Sequence, residues 1–244
     1  MQVEALAIRL RPRDSSEAAD LGVRLCQAAA GSIVRCHGPV VAVVILLSLA
    51  CFDIAPWLPG LLLWCSKPWL DRTILFVLSR AAFGQTTGAR ELWEARGEVW
   101  WRQLLRSWTW RRLSPWRSFT QPVYQLEGLT GLRLRRRVAQ IRVGRSSAAA
   151  GMTSVFSCAE TVLLCAVLSL AYWLAPKGYS IDFMKVLTGD ATRPLDFAVT
   201  TAYAVVIAFL EPFYVAAGFA MYLNRRAELE AWDIEQEFRR AFAP

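Results

Sequence analysis

The sequence predicts an all-α integral-membrane helical bundle of about four transmembrane helices, with amphipathic interfacial helices beside them. Three observations carry this reading. Of the 244 residues, 55% are hydrophobic, above the roughly 45–50% of a soluble domain. The apolar residues gather in blocks of membrane-spanning length rather than spreading along the chain. The basic residues lie between the blocks, and the net charge is +8.

The chain divides into five stretches. Residues 1–37 form a polar arm and an amphipathic helix. Arg9, Arg11 and Arg13 surround Pro12, and the first thirty residues are too polar for a cleavable signal peptide. Asp14, Ser15 and Ser16 are capping residues for a helix running to about Cys36. Ala18, Leu21, Leu25, Ala28 and Ala29 recur at helical spacing, so this helix is expected to lie on the cytoplasmic leaflet.

Residues 38–84 form a first helical pair. Residues 39–55 are the first span, opened after His37 and Gly38, which mark a helix boundary, and closed by Asp53 and Pro56. The second span is irregular, because Lys67, Pro68, Asp71 and Arg72 interrupt it. It is expected to cross over residues 58–66 and bend at Pro68. The remainder, 69–83, would be an amphipathic helix at the surface or within the bundle.

Residues 85–147 are expected to be cytoplasmic. They carry thirteen arginines against four glutamates, interleaved with six tryptophans. Residues 91–112 read as helical, broken by Ser114-Pro115. Residues 148–223 form a second transmembrane pair. One span covers 148–175 and contains Glu160; the other covers 195–223 and is interrupted by Glu211-Pro212. Residues 224–244 form a charged C-terminal helix.

Arginine sets the orientation. The arm, the 85–147 region and Arg225-Arg226 are rich in it, while the 176–194 loop and the 56–57 turn are not. The positive-inside rule then places both termini in the cytoplasm of a bacterial inner membrane, with two spans on each side of the basic region.

Glu160 and Glu211 are the most informative side chains, because an ionised group in an apolar span is expensive and usually faces the bundle interior. Counted from the cytoplasmic ends, they lie roughly 15 and 18 Å deep and so are expected to meet. Asp71, Arg72 and Arg80, with Lys67, are candidate polar partners. A structural ion pair is favoured over a proton or solute site, since intramembrane polar groups also hold helices together. A polar cavity reaching both glutamates would reverse that preference.

The arginine–tryptophan stretch is the second constellation. Trp93, Trp100, Trp101, Arg102, Arg106, Trp108, Trp110, Arg111 and Arg112 suit anionic lipid headgroups: guanidinium binds phosphate and indole prefers the interface. No nucleic-acid module is recognisable, and nucleic acid is not an expected partner. Six cysteines without a CxxC, and a single histidine, argue against a metal site. The cysteines read as small hydrophobes. No cofactor motif or catalytic set is present, so no enzyme is expected.

Several phrases carry a resemblance. They are Ile8-Arg9-Leu10-Arg11-Pro12-Arg13 and Trp64-Cys65-Ser66-Lys67-Pro68-Trp69-Leu70-Asp71-Arg72. Leu113-Ser114-Pro115-Trp116-Arg117-Ser118-Phe119 and Glu211-Pro212-Phe213-Tyr214-Val215-Ala216-Ala217-Gly218-Phe219 extend it, as does Glu230-Ala231-Trp232-Asp233-Ile234-Glu235. Together they resemble an uncharacterised family of proteobacterial inner-membrane proteins. Its genes tend to sit beside those for a MoxR-type AAA+ ATPase and a transglutaminase-like membrane protein. The resemblance implies membership of a membrane complex with that ATPase and its neighbours, and carries no catalytic residues. The expectation is a non-enzymatic scaffold or accessory subunit of an envelope-associated complex. The alternative is a transporter or lipid-handling protein using Glu160 and Glu211.

Overall fold

The computed structural model describes residues 13–101, 113–174 and 193–230, and these are helical without a strand. The order is α1 (Ser15–Ala28), α2 (Ala30–Ala50), α3 (Leu58–Ala81), α4 (Ala89–Glu94), one π-helical turn (Gly97–Trp101), α5 (Arg117–Leu126), α6 (Gly131–Arg142), α7 (Ser146–Leu174) and α8 (Arg193–Glu230). Three of these, α2, α7 and α8, are long and apolar enough to cross a membrane.

The ends of the long helices fix their directions. Phe52, just past α2, packs its ring 5.6 Å from that of Phe197 at the start of α8. At the opposite end Arg145, just before α7, reaches Glu228 near the end of α8 at 2.6 Å. The long helices α2, α3, α7 and α8 therefore alternate in direction, and the described arginine-rich segments gather at one end.

Helix α8 is the central pillar. Every residue from 211 to 224 is buried except Phe213, which is partly so. Side chains do not alone explain how the neighbours come so close; two glycines do. A Cβ on Gly22 of α1 would fall 2.2 Å from the carbonyl oxygen of Ala216. One on Gly218 would fall within 2.4 Å of the Ser118 side chain on α5. Overpacking at such sites is destabilising, so glycine is what lets α1 and α5 lie directly on α8. The amphipathic face of α1, with Ala18, Gly22, Leu25 and Cys26 buried, is spent against protein instead of lying on a leaflet.

Four expectations about helix limits are corrected. The first helix stops at Ala28, and α2 begins at Ala30 and passes through His37 and Pro39. Proline removes one backbone bond, but Cys36, His37 and Val41 are packed on either side of it and hold the helix together. Helix α3 is one 24-residue element through Pro68, with no separate surface segment, because its Lys67, Asp71 and Arg72 are all buried and partnered by other helices. Of the helix expected over 91–112, the α-helical part stops at Glu94 and passes into the π-helical turn after Ala95, and residues 102–112 lie outside the described residues. The C-terminal charged helix is continuous with the last span up to Glu230.

The basic end is tied down by ion pairs. Arg137 of α6 bridges Glu127, at 2.9 Å, and Glu230, while Tyr222 donates to Glu127 at 2.8 Å. Arg145 and Arg225 both meet Glu228, and Arg226 meets Glu230. Glu228 and Glu230, in the charged C-terminal stretch, are thus engaged within the chain.

Candidate functional site

Helix α5 looks polar and is nevertheless buried from Arg117 to Val123. Several polar groups in that stretch are answered by another helix. The Ser118 amide donates to the Tyr214 hydroxyl at 3.4 Å, and Gln121 donates to the Pro68 carbonyl at 3.3 Å. Arg117, 6% exposed, enters the interior between α3 and α8. Burying a guanidinium costs several kcal/mol unless it is paired, and here it is. Its Nε lies 3.0 Å from Oδ2 of Asp71, an ion-pair contact without hydrogen-bond alignment. Its Nη2 pairs with Oε1 of Glu211. The same guanidinium sits over the Tyr214 ring, 4.9 Å from its centre.

Lys67 is the second cation of this cluster, one turn before Asp71 on α3. Its ammonium donates to Glu160 on α7 at 2.5 Å and lies 3.5 Å from the second oxygen of Glu211. The result is a continuous chain of charge across four helices: Glu160, Lys67, Glu211, Arg117, Asp71. His37 of α2 is buried at 3% exposure, within electrostatic reach of Glu211, and its Nδ1 has no partner among the described residues.

The chain of charge borders a cavity of about 130 Å³. Lys67, Arg117, Glu160 and Glu211 line it, with Thr153 and Tyr214 adding hydroxyls that lie 3.2 Å apart. It is polar and large enough to hold several waters. Fully ionised, the chain has three carboxylates and two cations, so one proton on one carboxyl makes it neutral.

Of the residues singled out in the sequence, Glu160, Glu211 and Asp71 come together here. Arg72 and Arg80 do not join them. Arg72 donates to the Glu98 backbone carbonyl at 2.9 Å, which ties α3 to the π-helical turn, and Arg80 pairs with Glu91 at 2.5 Å. Adjacent positions on a helix point about 100° apart, so Asp71 inside the cluster places Arg72 outside it. In the sequence Lys67 stands only as a candidate partner, and Arg117 belongs to the stretch expected to be cytoplasmic. The clue to Arg117 was the run of small and apolar residues around it, Ser118, Phe119 and Val123, inside an otherwise basic stretch.

The headgroup candidates separate. Trp93 and Trp101 are exposed. Trp100 packs inward, donating to Thr73 at 3.1 Å, with its ring 5.8 Å from that of Trp69. Arg102, Arg106, Trp108, Trp110, Arg111 and Arg112 lie outside the described residues. The described residues hold no cluster of His, Cys, Asp and Glu suited to a metal ion. Comparison with family models, curated proteins and solved structures finds no match for this chain.

Proposed function

We propose that this chain is a four-span protein of the bacterial inner membrane that moves protons, or a small solute together with them, through the cavity between Lys67, Arg117, Glu160 and Glu211. The carrying observation is that one polar cavity reaches both intramembrane glutamates. Buried ion pairs stabilise poorly, because desolvation offsets their attraction, and ionisable groups within spans by default mark a path for ions or solute. The fourth span is α3, whose 24 residues are long enough to cross and whose charges are answered by α5, α7 and α8. The alternation of helix directions supports both termini on the arginine-rich, cytoplasmic side. Trp93 and Trp101 then sit at anionic headgroups.

The test is proton flux in proteoliposomes, read by an internal pH dye under an imposed pH gradient. Wild type is expected to equilibrate the gradient faster than empty vesicles. Ser157→Phe, which fills the cavity from α7, is expected to slow it to the empty-vesicle rate. Wild type indistinguishable from empty vesicles, across added candidate ions, would end the reading.

A second reading is a non-enzymatic scaffold within a membrane complex, including a complex with a MoxR-type ATPase. It is favoured by the pairing of Lys67 and Arg117 and by the arginine clamp of α6 on α8.

A further inference from the structure

A second cavity, a groove of about 420 Å³, opens between α5 and α6 at the basic end. Trp116, Thr120, Gln121, Tyr124, Val138 and Arg142 line it. It shares two wall residues with the inner cavity: Ser114 and Arg117. One face of that wall looks onto Glu160, Lys67 and Glu211, and the other onto the groove. The wall is therefore thin, and its charged member is the side chain held by Asp71 and Glu211.

The groove has the character of a wetted approach and not of a packing defect. Gln121 is 2% exposed, and its Oε1 has no partner among the described residues. The Nε of Arg142 is likewise buried and unpartnered, although its guanidinium lies 3.5 Å from the centre of the Trp116 ring. Buried polar atoms without a protein partner are normally satisfied by water. Water that reaches Gln121 has only the Ser114–Arg117 wall between it and the inner cavity.

Resting on the reading given under Proposed function, we propose that the groove is the outer vestibule of the same path and that Arg117 is the gate residue dividing it from the inner cavity. The gate opens when Arg117 leaves its carboxylates, and it admits protons or small cations. A proton taken up by Glu211 weakens the Arg117–Glu211 pair, so arrival of the transported species itself loosens the wall. The groups facing Arg117 are Asp71 on α3, Glu211 and Tyr214 on α8 and, more distantly, Glu160 on α7, with Lys67 between the two glutamates and His37 on α2 near Glu211.

The test reads access without any solute moving, so its failure is separable from failure of the transport reading. In full-length protein with its six cysteines replaced by alanine, Ser157→Cys places a thiol in the inner cavity and Val138→Cys places one in the groove. Vesicles are treated with a membrane-impermeant cationic methanethiosulfonate from the face that carries α6. Val138→Cys is expected to react quickly and at the same rate whether residue 117 is Arg or Ala. Ser157→Cys is expected to react slowly with Arg117 present and about tenfold or more faster with Arg117→Ala, as removal of a local barrier demands. Asp71→Asn, which keeps the Glu211 pair, is expected to give a smaller increase. It serves as the reading if Arg117→Ala fails to insert. Ser157→Cys reacting equally fast with and without these changes, or only from the opposite face, would overturn the proposal.

Discussion

Two halves of one helix contrast. From Arg193 to Leu210, α8 is half-covered: Thr200, Ala202, Ala204, Val206 and Ile207 pack inward, while Phe197, Val205 and Phe209 are exposed. From Glu211 to Asn224 it is enclosed on nearly every side. The exposed half is apolar because lipid is an adequate solvent for it, and the enclosed half is apolar because protein covers it. Hydropathy cannot separate the two, and both halves fall within the one apolar span read over residues 195–223. The charge cluster falls at the boundary, where Glu211 begins the enclosed half. An outer half held loosely among lipid-facing helices meets an inner half held by close backbone packing, with ionisable groups at the joint.

The comparison can be broken by substitution, and the largest effect is expected at the joint. Arg117→Met takes the guanidinium away from Asp71 and Glu211, of which Glu211 keeps Lys67, and is expected to cost about 3–5 kcal/mol. Thermal unfolding in detergent would read this as a large fall in melting temperature; an unchanged temperature would mean that the acids are not paired with Arg117. Next comes the enclosed half. Gly22→Ala drives a methyl into the Ala216 carbonyl and is expected to cost about 1–3 kcal/mol. Protease sensitivity of α1 should rise with it, and an α1 that remains protected would argue against the close contact. Arg137→Ala, which breaks a partly exposed bridge to Glu127 and Glu230, is expected to cost about 1 kcal/mol or less, and less at high salt. Phe209→Ala lies in the lipid-facing half and is expected to change stability by no more than about 0.5 kcal/mol. A large loss there would show that protein covers that face.

Cysteine chemistry draws the same line at no cost in stability. Burial in α1 pushes the Cys26 thiol up to about 11, so its reactive thiolate is scarce at neutral pH. Cys26 is expected to resist maleimide in the folded protein and to react once α1 is released by Gly22→Ala. Fast labelling of Cys26 in the wild type would contradict the enclosed packing.

Much of this was legible in the sequence. Blocks of apolar residues gave α2, α7 and α8, and the rarity of acids in spans picked out Glu160 and Glu211, with Asp71 standing only among the polar residues that interrupt the second span. What escaped was whatever depended on other helices. Pro39 and Pro68 read as boundaries, yet packing on both sides of each carries the helix through. Arg117 read as one more cytoplasmic arginine, because only the tertiary fold shows that Gly218 leaves room for α5 against α8. Arg72 and Asp71 are neighbours in sequence and part company in space, since a helix turns successive side chains apart. Trp100 read as a headgroup residue, but Thr73 and Trp69 draw it inward.

The central claim, that the cluster at the joint works and is not only a strut, is tested most directly by Glu211→Gln. Glutamine keeps the shape and most of the hydrogen bonds but cannot carry the proton. Melting temperature in detergent and proton flux in proteoliposomes are measured on one preparation. The account predicts a melting temperature within a few degrees of wild type, the response expected when a stability change is of the order of 1 kcal/mol or less, together with flux at the empty-vesicle rate. Flux retained at the wild-type rate would contradict it and leave Glu211 a structural residue.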